Sequence, residues 1–194
     1  MEFAFITTSV LLVCFGLLGI FDSLYLHILK YRLYNHPESK TEHLTHTVRT
    51  ILFLVILYYL YIRTDNISFY IGLGFVLLDI LVLGMDAFLE HDSRRFMGGL
   101  PRWEYIIHLF VNGFHFAAIA VFLVIRVRVT GNQITVVNDF EGVGWYAAFL
   151  FIAKNFIPGS VVMALLHLLV AFPVGADMWD NFRGKLVKRT SYNR

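Results

Sequence analysis

Histidine and carboxylate recur at helical spacing through a chain that is otherwise apolar. The eight histidines are His27, His36, His43, His46, His91, His108, His115 and His167. They fall toward the same end of the apolar runs that carry them, beside Asp22, Asp79, Asp86, Glu90 and Glu104. Ionisable groups inside a bilayer are unfavourable unless paired or ligated. Imidazole with carboxylate, and no thiolate, is the ligand set of non-haem iron, manganese or zinc.

The spacing sharpens that reading. At 100° per residue, Glu104, His108 and His115 lie at about 0°, 40° and 20°, on one stripe, with Asn112 at its flank. Asp79, Asp86 and Glu90 share a second face, whose reach along the helix axis is about 16 Å. Glu42, His46 and Arg49 share a third, with His43 about 60° from His46. Asp22 points from a fourth helix, with His27 off its face. His167 aligns with Ser160 and Met163 on a fifth.

Separate helices that each present such a face can enclose a site. The expected ligands are His46, Asp86, Glu90, His108, His115 and His167. Glu104 and Asp79 are the expected catalytic acid–base groups. Asp22, His27, Glu42, His43, Arg49, His91 and Asn112 are expected to orient the ligands or carry protons.

Plainer roles compete for single members of this set. Glu42 and Glu104 open helices and can complement a helix dipole. His43 and His91 sit at a membrane edge, where a solvated imidazole needs no other role. His27 can bridge two helices by a hydrogen bond, and Arg49 can neutralise Asp86 or Glu90 with no chemistry involved. His36, in a polar turn, reads as an exposed loop residue. None of these roles accounts for acids and imidazoles gathered at one depth on different helices.

The elements that must position them are membrane spans. The 194 residues are 58% hydrophobic and 15% charged, far too apolar for a soluble domain of this size. Runs of roughly 20 apolar residues predict five spans, at residues 3–30, 43–63, 68–91, 101–125 and 144–172. The first lacks a basic leader and a small-residue cleavage site, so it is expected to remain as an anchor. Pro158-Gly159 should kink the last span or divide it into two half-helices. Residues 126–137 alternate around Gly131-Asn132, as a short hairpin does.

Lys30, Arg32 and Lys40, then Arg94, Arg95 and Arg102, then the tail from Arg183 to Arg194 fall on one side only if the spans number five. The expected fold is therefore an all-α bundle of five transmembrane helices, N-terminus outside and C-terminus cytoplasmic. One transmembrane domain covers 1–173, and a basic cytoplasmic tail covers 174–194.

Several classes are excluded. Cys14 stands alone, so the chain holds neither a disulfide nor a cysteine-rich metal site of its own. No basic cluster with interleaved aromatics points to nucleic acid, and no G-x-S-x-G elbow points to a serine hydrolase. Membrane di-iron hydroxylases and desaturases carry many histidines near the cytosolic surface, but their His-x-x-His-His boxes are absent here.

The leading reading is a metalloenzyme of the cytoplasmic membrane, its site facing the cytoplasm. It would hold non-haem iron, as two ions if all the ligands are used, and oxidise a lipid or another apolar small molecule with electrons from a redox partner. Three readings stand beside it. The first is a zinc hydrolase. The second is an electron carrier with haem b clasped between His46 or His27 and His108 or His115. The third is a proton-coupled transporter using Asp79, Asp86 and Glu90.

Overall fold

The structure, a computed structural model, describes residues 1–192. Five helical stretches are long and apolar enough to cross a membrane: Glu2–Lys30, Pro37–Ile62, Asn66–Met97, Arg102–Arg126 and Tyr146–Ala171. Their principal helices are α1 (Glu2–Gly19), α2 (Lys40–Ile56), α3 (Asn66–Ser93), α4 (Arg102–Arg126) and α5 (Tyr146–Ala171). Two of them change pitch before they end. α1 continues as a π-helix over Ile20–Lys30, and α2 as a π-helix over Leu57–Ile62.

Local chemistry fixes the ends. Asp65 caps α3, its carboxylate accepting the Ser68 backbone N–H at 2.9 Å. That bond, with Arg63 beside it, holds the Asp65 carboxyl down to about 2. α4 starts directly after Pro101, whose ring ends the preceding loop. The hairpin expected around Gly131-Asn132 is present, with β1 (Val127–Thr130) pairing antiparallel to β2 (Gln133–Val136) in the register Thr130↔Gln133. Gly131 takes φ 60°, the left-handed conformation that a two-residue turn requires at its first position.

α1 packs on α4 and α5, and α2 packs on α3 and α5. Two close approaches make this possible. A Cβ at Gly72 would lie 2.9 Å from the Leu60 backbone nitrogen, and one at Gly16 would strike the Phe156 ring. α5 is one helix, continuous through Pro158, and does not divide into half-helices.

The half of the bundle beside the hairpin is filled with aromatic and aliphatic side chains. Phe5 meets Phe140 and Phe149 with ring centroids 5.3 Å and 5.2 Å apart, and Tyr61 meets Phe122 at 4.8 Å. Large apolar residues such as Phe88 and Phe151 face outward, as a lipid solvent requires.

The other end carries the loops after α1 and α3. It also carries α6 (Pro173–Tyr192), a helix where the sequence suggests only a basic tail. α6 is tied to the rest by Asp180, which accepts hydrogen bonds from the Tyr34 hydroxyl and the Asn35 amide, both at 2.9 Å. Partial burial opposes the Asp180 charge, but these bonds and the nearby Arg32 and Arg183 guanidiniums hold its carboxyl below the usual range. Burial and the same contact push the Tyr34 hydroxyl up.

Candidate metal centre

The polar residues collect in the half of the bundle nearer α6. The π-helical end of α1 is the first reason. Counted at α-helical pitch, His27 falls off the face of Asp22. Hydrogen bonding from i to i+5 instead brings residues five apart into line. His27 Nε2 accordingly lies 3.5 Å from Asp22 Oδ1.

Three imidazoles from three spans meet there. His27 of the first span and His46 of α2 stand edge to face with ring centroids 4.1 Å apart, and His108 of α4 lies 5.6 Å from His27. Carboxylates surround them. His108 reaches Asp22 through Nε2 at 2.9 Å and Glu90 through Nδ1. His46 Nε2 lies 3.3 Å from Asp86 and 3.7 Å from Glu42. Thr45 fixes Asp86 from the side by donating its hydroxyl.

Three sets of ligand atoms each fall within 4.8 Å of one another: Asp22, His27 and His46; His27, Glu104 and His108; Glu42, His46 and Asp86. The last two share no residue, so both can be filled together. The first borrows from each and excludes them.

Arg94 stands between these two independent sets. It is fully buried. Its Nη1 donates to Glu42 at 2.6 Å, its Nη2 to Glu104 at 2.6 Å, and its Nε to the same Glu104 oxygen at 3.0 Å. Each glutamate thus gives one oxygen to the guanidinium. The other oxygens, Glu42 Oε1 and Glu104 Oε2, are buried without a hydrogen-bond partner among the described residues, as is His27 Nδ1. Buried acceptors left in this state are unusual and destabilising, and a cation would satisfy them.

One to two turns further along the helices, a second polar group forms. Arg49 donates to Asp79 at 3.1 Å and to Asn112 at 2.8 Å. His115 Nε2 donates to the other Asp79 oxygen at 3.1 Å, and Arg49 Nη1 comes within 3.8 Å of Asp86. With both groups counted, six carboxylates face two guanidiniums. Four negative charges remain if every acid is ionised. In a medium where a lone charge is strongly disfavoured, protons or metal ions must supply the balance, and two divalent ions would do so.

The remaining histidines fall elsewhere. His43 and His167 stack nearly parallel with centroids 5.1 Å apart, and His43 Nε2 donates to the His167 carbonyl at 3.1 Å. His167 is wholly buried, but the three ligand sets do not include it. His115 stays with Asp79. His91 is exposed at the end of α3 and pairs with its neighbour Asp92 at 3.4 Å. His36 is half-buried and stacks on Phe96 at 3.8 Å. Glu104 and Asp79 are each bound to an arginine.

A cavity of about 440 Å³ lies beside these groups. Asp22, His46, Asp86, Glu90 and His108 form one end of its wall, and Arg49, Asp79, Asn112 and His115 line its middle. Phe15, Phe53, Leu83, Val111 and Phe156 supply apolar surface. All of its lining residues belong to the membrane-spanning stretches.

No known protein-family model, curated protein or solved structure matches the chain.

Proposed function

We propose that this protein is an integral-membrane metalloenzyme whose paired ions sit in the cytoplasmic half of the bilayer and act on an apolar substrate. The observation that carries the reading is the convergence of His27, His46 and His108, from three spans, with Asp22, Glu42, Asp86 and Glu104, beside a cavity that His46, His108, Asp22 and Asp86 line. The distribution of Lys and Arg favours the N-terminus outside and α6 on the cytoplasmic side.

One ion would be held by His27, Glu104 and His108, and the other by Glu42, His46 and Asp86. Non-haem iron, the favoured filling, would supply oxidative chemistry; zinc would act as a Lewis acid on a bound water. The protein's own part follows from its geometry. Arg94 holds the two glutamates so that each offers one free oxygen, and Thr45 fixes Asp86. Asp79 and His115, which line the cavity, can hold or pass a proton at Asp79 Oδ2. The apolar wall excludes water from the substrate. Against transport, the aromatic side chains of Phe5, Tyr61, Phe122 and Phe149 pack tightly together in the hairpin half.

Elemental analysis with an optical spectrum of protein purified from its membrane tests the proposal. Two ions per chain and no Soret band are expected, with the content lowered in His46→Ala and His108→Ala. Absence of stoichiometric metal, or a Soret band lost in those variants, would overturn it.

A further inference from the structure

All of the cavity's lining lies on spanning helices. The exposed members of that lining show where the mouth is. Ile20 is 53% exposed, and Ala87, Asn155 and Gly159 are also exposed. Ile20, Asn155 and Gly159 flank the seam between the first span and α5, and Ala87 stands alone on α3.

The seam is closed further toward the hairpin, where the Phe156 ring lies against Gly16. One turn on, Gly19 and Gly159 both line the cavity. Neither glycine has a side chain to fill the gap, and a Cβ at Gly159 would meet nothing within 4 Å.

We infer that this seam is a lateral portal for one alkyl chain of a neutral membrane amphiphile, such as a long-chain alcohol. The inference rests on the proposed function for what happens to that molecule, but binding of the chain does not depend on metal. The chain would lie along the apolar wall formed by Phe53 and Leu83. Its polar end would meet the histidines and carboxylates, whose hydrogen-bonding groups no hydrocarbon can satisfy. A pocket with one polar end and apolar sides selects an amphiphile over a plain hydrocarbon.

The test is photolabelling in phosphatidylcholine nanodiscs with a long-chain alcohol that carries a diazirine on its chain, the adducts being located by mass spectrometry. Adducts on Phe53 and Leu83 are expected in the native protein, with or without chelator. Gly159→Trp should lower them about tenfold, the factor set by losing the burial of two methylenes. Gly19→Phe, which blocks the seam from its other side, should do the same. The lipid-facing Val162→Trp should leave the adducts unchanged, and melting temperature and metal content verify that each variant is folded.

Cavity labelling that survives both blocking variants overturns the portal, as does labelling that falls only with Ala87→Trp, which would place the entrance between α3 and α4. Native protein that labels through the seam but carries no stoichiometric metal as purified from its membrane would overturn the metal reading and leave the portal standing.

Discussion

Replacing Arg94 with methionine should destabilise this protein more than any other single change outside its packed core. The guanidinium is fully buried and makes three donor contacts of 3.0 Å or less to Glu42 and Glu104. Methionine fills much of the same volume but strands two carboxylates in a medium that cannot solvate them. Breaking a buried pair by removing one partner costs about 3–5 kcal/mol, whereas an exposed pair is worth about 0–1 kcal/mol. Against a typical total of about 5–15 kcal/mol, the loss is large.

The assay is reversible unfolding in mixed micelles, comparing Arg94→Met, Arg94→Lys and the double change Arg94→Met with Glu104→Gln. Lysine keeps the charge but not the planar fork that serves both glutamates, so it should fall between native and Arg94→Met. The double variant should recover part of the loss, because one stranded charge is gone. Divalent metal at about 100 times its dissociation constant should restore roughly 2.7 kcal/mol, because the freed oxygens become ligands. A loss under about 1 kcal/mol for Arg94→Met would refute the reasoning, since it would mean that Arg94 is solvated.

Other outcomes follow from the same geometry. His46 belongs to two of the three ligand sets and His115 to none. His46→Ala should therefore reduce bound metal sharply while His115→Ala leaves it near the native value, read by elemental analysis. Gly72→Ala forces a methyl against the Leu60 backbone and should cost about 1–3 kcal/mol by overpacking, seen as a lowered unfolding midpoint. Asp180 has a folded-state acidity shifted downward, so its contribution is present above the ordinary aspartate range and fades as pH falls through the lower folded value. Proteolysis between α5 and α6 should accelerate only at strongly acid pH in the native protein, and at neutral pH in Asp180→Asn.

Much of the frame was legible because membrane solvent leaves a simple signature. The five apolar runs and the alternating residues around Gly131-Asn132 each became the predicted element. The gathering of acids and imidazoles was legible from periodicity, since Glu42 with His46, and Glu104 with His108, stand four apart on ordinary α-helix.

Periodicity misled where the helix is not α. His27 seemed to face away from Asp22 until the π-helical pitch of Ile20–Lys30 turned it inward. Arg94 was legible only as a positive charge after the third span. It lies beyond the last regular turn, so no repeat marks it, and its burial depends on glutamates 52 and 10 residues away. The helix at α6 was hidden for a related reason: its docking rests on Asp180 meeting a turn about 146 residues earlier.

Arg94 also bears on how the protein is made. Glu42 reaches the membrane with the second span, well before its counter-charge, and Glu104 arrives only with the fourth. The early helices cannot reach their final arrangement during synthesis until the segment joining α3 to α4 has left the ribosome. A chain truncated before that point would carry an unmatched acid into the bilayer, a ready mark for quality-control proteolysis.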